Sequence, residues 1–168
     1  MAKTTISREI EIKASKEAVW KSLADFGNIC HAFPSVSSSQ ITSEQTEGIG
    51  TTRHCDFVRM DATIEERITD WKEGEYLKLE AYDWNNMPGL KSLEAEFSVY
   101  EREGNTMLRA SIHYSMKTIV YDILNSLMMR RLNIQYWDGL LAGHKRLIET
   151  GEHVTRETRL DLTQVEAC

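Results

Sequence analysis

Between residues 119 and 149 an apolar side chain recurs every seventh position: Val120, Leu127, Ile134, Leu141 and Ile148, with Ile123, Leu124 and Trp137 beside them. This spacing gathers them on one stripe of an α-helix. Thr118 is placed to cap its start, Lys145 and Arg146 stand near its end, and Gly151 supplies a left-handed stop. About 31 residues rising about 1.5 Å each make a rod of roughly 46 Å, enough to cross a small domain. The segments before it alternate with a period of two, so the expectation is a long terminal helix laid on a sheet.

A chain of 168 residues can bury one good core and is short for two. Residues 1–150 are expected to form that domain and 151–168 a tail. The net charge of −6 argues against a nucleic-acid surface, and no Lys/Arg cluster opposes that reading. No apolar run reaches the length of a membrane span, and the N-terminus has no signal-peptide core. Cys30, Cys55 and Cys168 are odd in number and form no CxxC pair, which points to reduced thiols in a cytoplasmic chain.

The alternation is read strand by strand. Residues 4–13 set Ile6, Ile10 and Ile12 on one face, broken by Arg8. Ser15 and Glu17 then open a short helix with Val19, Trp20, Leu23 and Phe26 on its buried side. A second short helix follows, ended by Pro34. Strands are expected at 37–42, 51–59, 62–71, 76–84, 90–101 and 106–116, joined by short turns. Seven strands in an antiparallel meander, two short helices after the first strand and one long terminal helix define an α+β fold.

That order of elements, together with local motifs, resembles the START-like, or helix-grip, superfamily. The motifs are Ile12-Lys-Ala-Ser-Lys-Glu-Ala-Val-Trp20, Leu23-Ala-Asp-Phe26, Phe33-Pro34, Gly48-Ile-Gly-Thr-Thr-Arg53, Glu66-Arg-Ile68 and Gly139-Leu-Leu-x-x-x-Lys145. They span roughly residues 5 to 149. The superfamily includes polyketide cyclases and dehydratases, plant hormone receptors and the major birch-pollen allergen. The resemblance implies a sheet wrapped round the long helix, with an elongated apolar cavity between them. It does not choose among carrier, receptor and enzyme.

The candidate site residues lie on the inner faces. Glu66 sits between Ile64 and Ile68 on an apolar face, so its carboxylate needs a partner. Arg53 faces inward on the preceding strand, where the superfamily commonly carries Arg. The two make either a structural ion pair or a polar anchor for a ligand; related receptors use the matching glutamate in a water-linked ligand site. Cys55, Phe57, Ile64, Ile68, Ile134 and Leu141 are expected to line the cavity, with Tyr114 offering its hydroxyl. Arg131, Asp138 and Lys145 flank the helix stripe and either snorkel to water or line the cavity mouth. The five histidines lack metal spacing, and no metal or cofactor is expected.

The expected function is binding of a hydrophobic small molecule such as a lipid, isoprenoid, quinone or polyketide-like compound. The alternatives are a polyketide cyclase or dehydratase using Glu66 or Tyr114 for proton transfer, and a protein-partner module with a vestigial cavity. A second stripe on the long helix, Met129, Leu132, Tyr136, Leu140, Gly143 and Leu147, is expected to face away from the sheet. Its cover is expected to be a second copy, with Gly139 and Gly143 allowing close approach, or else the tail through Leu160, Leu162 and Val165.

Overall fold

The computed structural model describes residues 3–124 and 130–168. Strand β1 (Thr4–Ile12) leads to helix α1 (Lys16–Ala24) and a 3-10 helix (Phe26–His31). Six strands follow: β2 (Val36–Ile41), β3 (Thr52–Phe57), β4 (Thr63–Lys72), β5 (Tyr76–Asn85), β6 (Leu90–Arg102) and β7 (Asn105–Met116). Helices α2 (Ile119–Leu124) and α3 (Arg130–Thr150) come next, and the tail ends in a 3-10 turn (Leu162–Gln164) and a short strand β8 (Glu166–Ala167). This is the helix-grip α+β architecture, an antiparallel sheet in the order β2-β3-β4-β5-β6-β7-β1-β8 with a long C-terminal helix on its inner face.

The sheet has eight strands rather than the expected seven, because the tail returns to the free edge of β1. Ala167 stands opposite Arg8, and Glu166 opposite Glu9. Val154 and Val165 are buried, and the Val154 N–H donates to the His31 carbonyl at 2.8 Å. The tail therefore packs on the domain and covers an otherwise unpaired strand edge.

Local chemistry accounts for the elements. Ser15 caps α1 by accepting from the Ala18 N–H at 3.2 Å. Short turns join β3 to β4 through Met60 and Asp61, both at positive φ, and β6 to β7 through Glu103 and Gly104. Ile10, Ile12, Ile68, Leu108, Ile112 and Leu141 are sealed in one core between sheet and α3. Each contributes about 1.5–3 kcal/mol by leaving water.

The helical pattern over 119–149 appears as α2 and α3, while Leu127, Met128 and Met129 lie outside the described residues. Two expectations for its faces are corrected. Val120 and Ile123 are exposed, because α2 begins only two residues beyond the end of β7 and has run past the sheet's inner face. The second stripe is not an outward face. Tyr136 meets the Phe33 ring edge-on at 4.6 Å, Leu140 is buried, and a Cβ on Gly143 would stand 1.8 Å from the Ala32 carbonyl oxygen. The close approach attributed to a second copy is made by the chain's own segment 32–34, so the reason for expecting a dimer through this face falls away. Leu132 of that stripe is exposed.

Candidate functional site

Arg53 and Glu66 are direct cross-strand partners on the inner faces of β3 and β4. The Arg53 Nε donates to Glu66 Oε2 at 2.6 Å, Nη2 lies 2.6 Å from the same oxygen, and Nη1 donates to the Phe26 carbonyl at 2.9 Å. The guanidinium also sits 3.9 Å above the Phe26 ring. Both side chains are buried. Burial works against the Arg53 cation, but attraction to the Glu66 carboxylate outweighs it and raises its pKa above the usual value. Cys55 lies on the same face, 4.0 Å from Glu66 Oε2, and burial pushes its thiol up to about 12, so it is an inert neutral neighbour.

Tyr136 of α3 faces this pair, a placement the helical periodicity did not suggest. Its ring joins Phe33, Phe57 and Trp137 in an aromatic wall, with centroids 4.6, 6.4 and 5.2 Å away. Burial, reinforced by the Glu66 charge, holds its phenol well above the ordinary value, so it is a neutral hydrogen-bond donor. On the α1 side of α3, His144 is sealed from solvent with Nδ1 3.1 Å from Ser22 Oγ, and its Nε2 has no partner among the described residues. Burial, with the Arg53 cation adding to it, lowers its pKa to about 4 and keeps the ring neutral.

Burial of the inner faces is graded along the sheet. On β7, Leu108, Ala110 and Ile112 are sealed, while Met116 remains partly accessible. On β6, Phe97 and Ala95 are buried and Leu93 is partly accessible; on β5, Leu77 and Leu79 are buried and Ala81 and Trp84 are not. Phe57 at the end of β3, and Ile134 and Tyr136 near the start of α3, share this partial accessibility. All these positions lie at one end of the antiparallel sheet, beside the 86–89 loop. A pocket of about 510 Å³ lined by Met60, Trp84, Asn86, Met87, Pro88 and Lys117 lies at that end. The core is therefore closed at one end and opens between sheet and helix at the other.

This grading sorts the expected lining residues. Phe57 and Ile134 border accessible space. Cys55, Ile64, Ile68 and Leu141, all 2% exposed or less, have no room for even a water molecule beside them and belong to the packed core. Tyr114 is buried, and its hydroxyl accepts from Asn133 Nδ2 of α3 at 3.3 Å. Asp138 takes up neither expected role, because Arg8 holds both its oxygens at 2.6 and 2.9 Å and buries it in the seam between β1 and α3. Lys145 reaches the Glu11 carbonyl of β1 at 2.7 Å, clamping the same seam, and Arg131 is exposed. The sequence signal for the Arg8–Asp138 pair was the single charge interrupting the apolar face of β1.

A larger groove of about 1140 Å³ lies elsewhere, between α1, the first 3-10 helix, β2 and the β4–β5 turn. Its floor is the edge-on pair Trp20 and Trp71, and both indole N–H groups donate to Glu73, at 2.8 and 3.0 Å. With those donors committed and the Arg53–Glu66 pair outside it, the inner space carries more usable chemistry. Among the described residues, no three His, Cys, Asp or Glu side chains converge as metal ligands would. No described helix is long and apolar enough to cross a membrane.

A helix gripped by an antiparallel sheet, with an inner face opening at one end on a buried polar pair, defines the START-like class. Residues 3–149 match the family described as polyketide cyclase / dehydrase and lipid transport, and the chain belongs to that family. Among solved structures it is similar to TTHA0849 from Thermus thermophilus, at 14% identity, covering 88% of this chain and 99% of that one, with a TM-score of 0.72. It is also similar to XoxI from Bacillus cereus, at 23% identity, with coverage of 92% and 100% and a TM-score of 0.67. Ginseng major latex-like protein 151 from Panax ginseng gives 10% identity, coverage of 85% and 95%, and a TM-score of 0.69. At these identities the likeness concerns the fold. No curated protein matches the sequence.

Proposed function

We propose that this protein binds a hydrophobic small molecule in the space between the sheet and α3, entering at the end bordered by the 86–89 loop and α2. The observation that carries the reading is the graded burial of the inner faces. Apolar side chains on three neighbouring strands stay accessible at one end, although they point at the helix and not at bulk solvent. An apolar space with a small number of fixed polar groups is how small-molecule sites are generally built. A lipid, isoprenoid, quinone or polyketide-like molecule has the required apolar body, and three free thiols suit a reducing compartment such as the cytoplasm.

Carriage or reception is better supported than turnover. Both Arg53 nitrogens that reach Glu66 converge on one oxygen, an arrangement that holds the carboxylate in place, and the Tyr114 hydroxyl is engaged by Asn133. A proton-transferring residue needs a free path to its substrate.

The test is binding of a neutral solvatochromic dye such as Nile red, together with native mass spectrometry of freshly purified protein. The wild type is expected to bind the dye and to gain thermal stability with the logarithm of free dye. Ile134→Trp, which fills the open end, is expected to abolish binding while the protein still unfolds cooperatively. Absence of dye binding and of any co-purified small molecule would refute the reading.

A further inference from the structure

The ligand-binding reading leaves open what the polar end of the site recognises, and the hydrogen-bond pattern there is specific. Arg53 commits Nε and Nη2 to Glu66 and Nη1 to the Phe26 carbonyl. Glu66 commits only Oε2; neither its Oε1 nor the Tyr136 hydroxyl is bonded to a described residue. These two oxygens are not sealed orphans. Among the described residues, the side-chain atom that is both sealed and unpartnered is His144 Nε2. Glu66 Oε1 and Tyr136 Oη therefore open on accessible space, one as an acceptor and one as a donor.

Charge narrows the choice of ligand. The Arg53 cation is already balanced by Glu66, so a carboxylate, sulfonate or phosphate entering here would meet an open carboxylate oxygen and no uncommitted cation. A ligand cation would add a net positive charge to a site already neutral. A hydroxyl group satisfies both open atoms at once, donating to Glu66 Oε1 and accepting from the Tyr136 O–H. The wall of Phe33, Phe57 and Trp137 around Tyr136 offers flat apolar surface to the body of such a molecule.

We infer that the site selects an uncharged, largely apolar and ring-bearing molecule through a single hydroxyl group held between Tyr136 and Glu66, and that it discriminates against anionic lipids. This rests on the ligand-binding reading above. Tyr136 is the specificity-determining donor, and Arg53 acts through Glu66 by fixing the acceptor and cancelling its charge. The neutral state of the Tyr136 phenol, buried beside Glu66, agrees with a donor role.

Three probes of one shape test it on the full chain by titration calorimetry: naphthalene, 2-naphthol at a pH where it is neutral, and 2-naphthoate. Wild type is expected to bind 2-naphthol about tenfold more tightly than naphthalene, the ordinary worth of one net hydrogen bond. It is expected to bind 2-naphthoate more weakly than naphthalene. Tyr136→Phe keeps the ring, and the advantage of naphthol over naphthalene should fall to within about twofold. Glu66→Gln removes the compensating charge and should reverse the order of naphthol and naphthoate. Equal or tighter binding of naphthoate by wild type, or an undiminished naphthol advantage in Tyr136→Phe, would overturn this inference while leaving the ligand-binding reading standing. Failure of all three probes would overturn both.

Discussion

Removing one member of the Arg53–Glu66 pair is the most direct way to ask what the polar interior does. In Glu66→Ala the guanidinium stays in place with 7% of Arg53 exposed, loses its Nε and Nη2 partner, and keeps only the Phe26 carbonyl. An uncompensated buried charge of this kind costs about 3–5 kcal/mol. For a chain of this length each kcal/mol moves the thermal midpoint by about 2–4 °C, so a drop of roughly 6–20 °C is expected. Arg53→Ala strands the carboxylate instead and should cost a similar amount. Replacing both with apolar residues, Arg53→Met with Glu66→Leu, removes the stranded charge as well as the pair and should come close to wild-type stability. Urea unfolding of the four proteins gives the coupling directly, expected at about 2 kcal/mol or more. Single-mutant costs that add to the double-mutant cost within about 0.5 kcal/mol would refute the pairing argument.

Two further outcomes follow from the packing of α3. Gly143→Ala drives a methyl group to 1.8 Å from the Ala32 carbonyl, so loop and helix must separate, at a cost of about 1–3 kcal/mol in urea unfolding. Gly139→Ala is the control, since its nearest neighbour would be Pro34 at 4.0 Å, and it should be neutral or stabilising by up to about 1 kcal/mol. His144 has a folded pKa of about 4 against about 6.5 unfolded, so the unfolded state binds more protons between those values. The stability it permits is complete above about pH 6.5 and is lost as pH falls to about 4, amounting to about 3 kcal/mol. Midpoints measured across that window should fall in wild type and stay flatter in His144→Leu. Glu9, held down to about 2 by Tyr100, Arg109 and Arg102 against its burial, acts in a lower window.

The sheet was legible because alternation is a local property. Counting twos along 51–59 and 62–71 puts Arg53 and Glu66 on the inner face, and a short turn between the strands sets the register that pairs them. The tail strand was not legible. Glu166 and Ala167 have no strand pattern of their own, and they pair only because β1 presents a free edge beside them. Core and cavity also looked alike in the sequence, since Ile68 and Ile134 are the same side chain. Only the packing at each end of the sheet separates a sealed position from an open one.

Tyr136 was missed for a reason that applies to any helix in such a grip. Periodicity assigns a helix one buried stripe when it rests on a flat surface, and it then sends every other apolar position outward. Here the flanks of α3 are claimed from several directions. Asp138 and Lys145 reach β1, Leu141 is packed in the core, His144 meets α1, and Tyr136 turns toward the 32–34 segment and β3. A helix buried on that many sides needs apolar or partnered residues all round. The second stripe was thus the mark of an enclosed helix, and a polar-tipped residue on it falls on the interior. That is how a phenol from one flank of α3 comes to stand beside a carboxylate from β4.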